Sequence, residues 1–228
     1  MKIVATSDFH GYLPESGSVP ECDLLLIAGD VCPVWDHNLE FQARYLRTTF
    51  SDWLKAQPAK IIVGVGGNHD FVLQRDPGLG YELPWTYLNN GAATIVLSGE
   101  EPVKIWGSAY SPTFGRWAFM RDDKDLAKTW ETIPTDTDII LVHGPPFGYG
   151  DKVNNNWNPD PNVGSRTLMN RLWYGDFLNL KLIVSGHIHE SYGTGTMKLM
   201  NEQLVAWANV SSLNEKYETG NVPQVFEL

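Results

Sequence analysis

Five short apolar runs of this chain each end in residues that bind metal ions or transfer protons. The endings contain Asp8 with His10, Asp30, Asn68 with His69 and Asp70, His143, and His187 with His189. Carboxylate, imidazole and amide groups without a thiolate suit Mn²⁺, Fe or Zn²⁺ in an open site, and they do not choose among these metals. Two such cations side by side catalyse phosphoester hydrolysis. The residue types therefore predict a two-metal phosphoester-hydrolysing site.

The spacing of the histidines and carboxylates supports shared ligation. Asp8 and His10 are two residues apart, as are His187 and His189. At the end of an extended strand, side chains at this spacing point to the same side, so that both can reach one cation. Asp30 follows a glycine, which alone is common turn chemistry. Its two carboxylate oxygens nevertheless allow it to bridge two metals.

The densest group of candidate residues is Gly67-Asn68-His69-Asp70. The amide oxygen of Asn68 is a neutral metal ligand, and His69 can give a proton to a leaving group because its unperturbed pKa lies near neutrality. Asp70 either orients that imidazole or holds the loop by accepting backbone hydrogen bonds. The alternative for the whole group is a turn that ends a strand. The other four endings favour the catalytic interpretation, because they supply the remaining ligands.

Each ending follows an apolar run that is typical of a buried parallel strand. The runs cover residues 3–7, 24–28, 61–65, 139–142 and 182–185. In open α/β sheets, ligands bind in the crevice beyond the carboxyl ends of such strands. We therefore expect the five endings to meet along one edge.

The remaining patterns predict the other elements of a single domain that spans residues 1–228. Helices are expected at 38–57, capped by Asn38, at 122–131, and at 165–173, capped by Ser165. Further strands are expected at 93–97, 103–106, 195–200, 203–209 and 222–227, the third and fourth of them as a hairpin. This order suits an α/β fold, a four-layer α/β/β/α sandwich of two mixed sheets.

Composition bounds the partners of the protein. The net charge of −10 argues against a general nucleic-acid binder, which needs clustered basic residues. Cys22 and Cys32 flank one strand and are predicted to be reduced thiols. The first predicted strand begins directly after Met1, so no signal peptide is expected, and no apolar stretch approaches the ~20 residues that span a membrane. We expect a cytoplasmic protein with a small-molecule phosphoester substrate and no membrane partner; the oligomeric state stays open.

Some features outside the five endings are open to two interpretations. The Asn- and Pro-rich segment 154–162 is predicted to be a surface loop, with a lid over the site as the alternative. Trp35, Tyr149 and Trp157 could stack on a nucleobase, although core packing is commoner. His37 is either a substrate contact or a solvated loop residue. Arg116 is the candidate phosphate clamp outside the metal ligands, with a plain surface arginine as the alternative.

Taken in order, the five endings resemble the motifs of the calcineurin-like metallophosphoesterase superfamily, from Asp8 to His189. The connecting sequence is similar to one branch, the metallophosphoesterase-domain-containing proteins first noted in animal brain. The similar stretches are Trp106-Gly107-Ser108, Trp117-Ala118-Phe119, His143-Gly144-Pro145-Pro146 and Gly186-His187-Ile188-His189-Glu190. One departure is Asp70, where many members of the superfamily carry Glu, a side chain one methylene longer.

The resemblance implies two divalent metal ions that share one carboxylate. One metal would be held by Asp8, His10, Asp30 and His189, and the other by Asp30, Asn68, His143 and His187. A metal-bridging hydroxide would attack phosphorus in line, and His69 would protonate or stabilise the departing oxygen.

The most favoured function is a phosphodiesterase for cyclic nucleotides or similar small diesters, because some members of the branch turn over cyclic nucleotides. A phosphomonoesterase or protein phosphatase with the same site is the first alternative. A non-catalytic interaction module on the same fold is the second, and a nuclease is a lesser one. The intact ligand set and His69 favour an enzyme.

Overall fold

The computed structural model describes residues 1–154 and 160–228. The predicted loop at 154–162 therefore falls mostly outside the described residues, together with Trp157, and the choice between a surface loop and a lid stays a prediction.

The described residues form strands and helices in alternation. The strands are β1 Lys2–Thr6, β2 Cys22–Ile27, β3 Ala59–Gly64, β4 Thr86–Tyr87, β5 Gly91–Ile95, β6 Val103–Ser108, β7 Ser111–Pro112, β8 Met120–Arg121, β9 Ile139–Val142, β10 Leu182–Ser185, β11 Gly193–Lys198, β12 Leu204–Asn209 and β13 Gln224–Glu227. The helices are α1 Leu39–Tyr45, α2 Ser51–Lys55, α3 Phe71–Arg75, α4 Pro77–Glu82, α5 Asp123–Trp130 and α6 Arg166–Tyr174.

Two large mixed sheets carry the fold. The first has the strand order β13-β1-β2-β3-β4, and the second has the order β11-β12-β10-β9-β6-β5. Strands β1 to β4 are parallel to their neighbours, as are β6, β9, β10 and β12, whereas β13, β11 and β5 are antiparallel edges. All five ligand-bearing endings therefore follow parallel strands, as the sequence predicts.

Alternate residues of the strands pack into the core between the two sheets. Ile3 and Ala5 of β1 share a buried cluster with Ile105 of β6, Leu141 of β9 and Val184 of β10. Successive side chains of a strand point to opposite faces, so the alternate residues must be covered on the other side.

Helical residues cover those other faces. Val4 of β1 lies in a second buried cluster with Leu46 and Phe50 from the helical region after β2, and Ile140 of β9 lies there with Leu168 of α6. Helices on the outer faces of two stacked sheets make the mixed α/β sandwich that the sequence predicts.

The longest predicted helix, at 38–57, forms as three consecutive helical segments. A π-helical stretch, Leu46–Phe50, joins α1 to α2. Asn38 caps α1, since its side chain accepts hydrogen bonds from the amides of Glu40 and Phe41. Single π-turns insert one extra residue into a helix and are frequent beside functional sites. Here the helical region packs beside the ligand loops, because Gln42 of α1 reaches them.

The structure corrects the sequence prediction at some boundaries. Helices α3 and α4 directly follow Asp70 and were not predicted, because each is short and lacks an amphipathic repeat. The strand predicted at 93–97 forms as β5, at Gly91–Ile95, and the closing strand β13 begins only after Pro223, which has no amide hydrogen to donate to a sheet. The predicted hairpin is confirmed, with Lys198 opposite Leu204.

The state of the two cysteines and the character of the helices can be read from the structure. Cys22 and Cys32 are both buried and free, as predicted. In the described ranges, helices long and apolar enough to cross a membrane are absent.

The buried cap of α6 provides a stability test. Ser165 is fully buried, and its hydroxyl accepts hydrogen bonds from the amide of Leu168 and the indole of Trp130. Ser165→Ala removes the cap and leaves a buried donor unpaired, so we expect it to lower the free energy of unfolding by about 2–3 kcal/mol. Urea denaturation measures the change. The exposed cap Asn38→Ala is the control and should cost about 1 kcal/mol or less. Equal losses in the two variants would contradict this account.

Candidate metal centre

The loops beyond β1, β2, β3, β9 and β10 bring buried acidic and imidazole groups together where the two sheets meet. They form three overlapping groups in which the ligand atoms lie within 4.8 Å of one another. The groups are Asp8 with His10 and His189, His10 with Asp30 and His69, and Asp30 with His143 and His187. Asp30 and His10 each belong to two groups, which makes the three into one continuous cluster.

The first group joins the two ends of the ligand set. The Nε2 atoms of His10 and His189 are 3.2 Å apart, and Nε2 of His189 is 3.4 Å from Oδ1 of Asp8. The Nδ1 atom of His189 lies 3.0 Å from the carbonyl oxygen of Asn214. A carbonyl only accepts, so Nδ1 donates, and neutral His189 presents the lone pair of Nε2 to the cluster.

The same logic applies to His143. Its Nδ1 donates to the carbonyl oxygen of Ala28 at 2.9 Å. Its Nε2 lies 2.8 Å from Oδ1 of Asn68 and 3.4 Å from Oδ2 of Asp30. The ring of His187 lies 4.8 Å from that of His143, centroid to centroid. The structure thus places Asn68 beside the group of Asp30, His143 and His187, which agrees with the ligand set that the resemblance implies.

These contacts fit divalent cations. When His143 is neutral, the lone pair on its Nε2 faces an amide oxygen and a carboxylate, all of them acceptors. Buried acceptors this close need positive charge between them. Oxygen and imidazole donors whose far nitrogens are fixed by carbonyls are the usual environment of bound metals.

The protonation of the cluster shows the same demand for positive charge. Burial lowers the pKa of His143, but the carboxylate of Asp30 outweighs burial and raises that pKa to about 9. Burial acts to raise the pKa of Asp30, yet the neighbouring histidines hold it well below its usual value. Burial lowers the pKa of His10 to about 4 and that of His187 to about 3, so both rings are neutral at pH 7 and able to ligate.

The backbone at the ligands is strained. Asp8, His10, Asp30 and His187 have φ values of 55°, 48°, 52° and 70°, in the left-handed region that side-chain-bearing residues rarely adopt. Such strain concentrates at functional sites, where the surrounding structure imposes it. The expected geometry of extended strand ends is therefore wrong. Asp8 and His10 share a group through left-handed turns, whereas His187 and His189 lie in different groups.

Hydrogen bonds from several segments hold Asp8. Both of its carboxylate oxygens accept from the amide of His187 at 3.0 Å, and Oδ2 also accepts from the hydroxyl of Ser211 at 2.9 Å. Ser7 provides a further short contact. Ser211 carries no signal in the sequence for this role, because only the tertiary fold brings it to Asp8 across 203 positions.

Asp70 performs the second of its two predicted roles. Its Oδ2 accepts from the amide of Gly67 at 2.7 Å, and its Oδ1 accepts from the amide of Cys32 at 2.8 Å. It thereby ties the loop after β3 to the loop after β2. Burial, assisted by Asp30, raises the pKa of Asp70 to about 6. These contacts go to backbone amides and not to the imidazole of His69, so they do not support the alternative prediction that Asp70 orients that ring.

The imidazole of His69 lies among rings instead. Its Nδ1 is 3.4 Å from Nε2 of His37. The centroid of its ring is 4.5 Å from that of Trp117 and 4.7 Å from that of His10. Its backbone amide donates to Oδ1 of Asp30 at 2.7 Å. This contact is neither of the two roles predicted for His37, a substrate contact or a solvated loop residue, and no spacing rule links it to His69.

Gln42 and Tyr217 are further residues near the ligands that the sequence analysis missed. The amide of Gln42 donates to the carbonyl oxygen of His69 at 2.8 Å. The ring of Tyr217 lies 5.0 Å from His10 and 5.2 Å from His189. A polar residue in a helix and an aromatic residue in a distant loop carry no sequence signal for such positions.

Arg116 lies at the surface beside the site. It is exposed, in the segment between β7 and β8, next to Trp117, which contacts His69. Its role as a phosphate clamp stays a prediction.

A cavity of about 440 Å³ opens beside the cluster. Its apolar walls come from Phe114, Val153, Val163 and Ile188, and its charged group is Glu190. His187 also lines it, and the ring of Phe114 lies 5.4 Å from that of His187. An apolar cavity in contact with a ligand residue is suited to an organic group attached to a bound phosphate.

The sequence is similar to that of a known protein family and of individual known proteins. The sequence model of calcineurin-like phosphoesterases matches residues 1–191. Over 202 residues the chain is 33% identical to the probable rhamnogalacturonate lyase C of Emericella nidulans, covering 85% of this chain but 17% of that protein. Over 250 residues it is 27% identical to human metallophosphoesterase domain-containing protein 1, covering 100% of this chain and 71% of that protein.

A similar fold occurs among solved structures. The NAD nucleotidase of Haemophilus influenzae matches with a TM-score of 0.55 and 14% identity, covering 100% of this chain and 49% of that chain. At this identity the likeness shows the fold alone.

The shared position of Asp30 yields a test of metal binding. Asp30→Asn keeps the size of the side chain and removes the charge that the two ligand groups share, so we expect the loss of both cations and a fall in phosphoesterase activity to below about 1%. Metal content per chain and hydrolysis of p-nitrophenyl esters measure the two effects. Asp52→Asn, which removes a surface carboxylate of α2, is the control. Full metal content and activity in Asp30→Asn would show that the two-metal assignment is wrong.

Proposed function

Because the chain belongs to the calcineurin-like phosphoesterase family, we propose that it is a metal-dependent phosphodiesterase that acts on small organic phosphodiesters. Its resemblance to the metallophosphoesterase-domain-containing branch is confirmed by the human relative. The lyase name of the Emericella nidulans relative belongs to a protein of which this chain spans 17%, and it is not carried over.

The observation that carries the proposal is the position of Asp30 between the two proposed ligand sets: it is grouped with His143 and His187, and its Oδ2 lies 3.6 Å from Nε2 of His10. A carboxylate in this position can be shared by two neighbouring cations, the pair that a two-metal phosphoesterase site uses. We propose that Asp8, His10 and His189 hold one cation and that Asn68, His143 and His187 hold the other, with Asp30 common to both.

Each part of the site has a chemical task. The cations, when bound, supply positive charge to the phosphate oxygens and lower the pKa of a water molecule. His69, beside Asp30 but outside the two proposed ligand sets, is placed to donate a hydrogen bond to the departing oxygen. Asp70 keeps the loops of Asp30 and His69 together through backbone amides. Trp117 packs against the ring of His69, and Tyr217 packs against that of His189.

The cavity beside His187 supports a diester over a monoester. A phosphodiester carries one negative charge on phosphorus oxygens and a second organic group that does not leave. The apolar walls at Phe114 and Ile188 can take that group, while Glu190 repels additional negative charge there. The single organic group of a phosphomonoester is the one that departs, so a monoester has no non-leaving group for this cavity. The proposal that the diester is a cyclic nucleotide rests only on the resemblance to the branch.

The partners and compartment are part of the same proposal. A small phosphoester fits a cavity of about 440 Å³, and the net charge of −10 disfavours nucleic acid. The two buried free thiols support a reducing compartment such as the cytoplasm.

The first experiment compares bis-p-nitrophenyl phosphate with p-nitrophenyl phosphate as substrates of chelator-stripped protein, with and without Mn²⁺. We expect turnover only with the metal, and a higher kcat/KM for the diester. Faster hydrolysis of the monoester would replace the proposal with a phosphatase. Protein that binds two metals and hydrolyses neither ester would be either a very selective enzyme or an interaction module.

The cavity makes a separate prediction about Phe114. Phe114→Ala removes an aromatic wall, and a ring contact contributes about 0.5–1.5 kcal/mol. We expect KM for bis-p-nitrophenyl phosphate to rise about 3- to 10-fold, with little change for p-nitrophenyl phosphate. Steady-state kinetics measure both. Tyr174→Ala, which removes an exposed ring of α6, is the control, and an unchanged KM in Phe114→Ala would count against the cavity.

A further inference from the structure

His37 is the residue that meets the far side of the His69 imidazole. It lies in the segment between β2 and α1, and its Nε2 is 3.4 Å from Nδ1 of His69. This contact joins positions 32 residues apart in the chain. Because Nδ1 of His69 is engaged with His37, Nε2 is the ring nitrogen left for the substrate.

Aromatic packing fixes the ring of His37 in this position. Its centroid is 5.0 Å from that of Phe71 and 5.5 Å from that of Trp117, which itself contacts His69 at 4.5 Å. Phe71 is the first residue of α3 and Trp117 precedes β8, so three separate segments hold the pair. Restriction from several sides leaves His37 few rotamers.

Asp70, the other candidate for orienting His69, is already occupied. Its two carboxylate oxygens accept hydrogen bonds from the backbone amides of Gly67 and Cys32. Gln42 holds the carbonyl of His69, and Asp30 holds its amide. These contacts fix the backbone of His69, and His37 supplies the contact to its ring.

A neutral imidazole carries one N–H, and the partner of one nitrogen decides which nitrogen bears it. If His37 donates to Nδ1 of His69, the hydrogen of neutral His69 stays on Nε2. An N–H at that place stabilises the negative charge that develops on a departing oxygen.

We propose that His37 is a positioning residue: its Nε2–H donates to Nδ1 of His69, which fixes the ring orientation of His69 and keeps its hydrogen on Nε2, towards the leaving oxygen. This inference rests on the proposed phosphodiesterase function. In this role His37 acts through His69 and not through a contact of its own with the substrate or the cations.

Two diesters that differ only in the leaving group test this role. Thymidine 5′-p-nitrophenyl phosphate releases a stable phenolate, whereas thymidine 5′-phenyl phosphate releases a phenolate that needs a hydrogen bond much more. His37→Phe keeps the ring packing and removes the donor. We expect kcat to fall about 10- to 100-fold for the phenyl ester and less than about 3-fold for the p-nitrophenyl ester, with KM and metal content unchanged.

Matched variants separate positioning from packing. His37→Gln restores an N–H donor and should recover most of the lost rate on the phenyl ester. In a His69→Ala background, His37→Phe should cause no further loss, because the residue through which it acts is gone. Equal losses on both esters, failure of His37→Gln to recover the rate, or a further loss in the double variant would overturn the proposal.

Histidine side-chain NMR gives a readout that does not depend on activity. Long-range ¹H–¹⁵N spectra of the Zn²⁺-loaded protein distinguish the two tautomers, and the His69→Ala spectrum assigns the signals of His69. We expect His69 with its hydrogen on Nε2 in the wild type, and a loss of that preference in His37→Phe. An unchanged tautomer in the variant would overturn the positioning role. If the wild type hydrolysed neither diester, the proposed function would fail, and these spectra would still decide the inference.

Discussion

The buried charge of Asp8 and Asp30 is the constraint on which the site depends. A carboxylate removed from water is stable only if cations, imidazoles or hydrogen-bond donors compensate it. Asp8 is compensated by the amide of His187, the hydroxyl of Ser211 and the nearby His189, and Asp30 by His143 and the amide of His69. The two carboxylates thus draw together loops from both sheets, and the cluster they form is the place where divalent cations are favoured.

The sheets can meet so closely because glycines stand beside the carboxylates. A Cβ atom at Gly67 would collide with the carboxylate of Asp30, and one at Gly186 would collide with Oδ2 of Asp8. The left-handed backbone at Asp8 and Asp30 turns these side chains into the crevice. Core packing between the sheets holds this strained geometry, so the stability of the sandwich and the chemistry of the site are coupled.

The predictable elements of the fold are those with a strong local signal. The runs that became β1, β2, β3, β9 and β10 were recognisable because buried parallel strands are continuously apolar. The caps at Asn38 and Ser165 were recognisable from residue type, and both are observed. Helices α3 and α4 were missed because they are too short to show a period. The contact of Asp70 with backbone amides was one of two open alternatives, and no pattern in the sequence separates them.

The candidate ligands, and their places after strand ends, can be read from the sequence, because residue type and apolar runs are local properties. How those residues pair depends on the tertiary fold. His10 meets His189 across 179 positions, and His69 meets His37 across 32. The left-handed turns at Asp8 and Asp30 also depended on the tertiary structure, since Asp is enriched in this region but adopts it only uncommonly. Contacts of this kind depend on how the two sheets stack, and the energy that selects one stacking comes from a core spread over the whole chain.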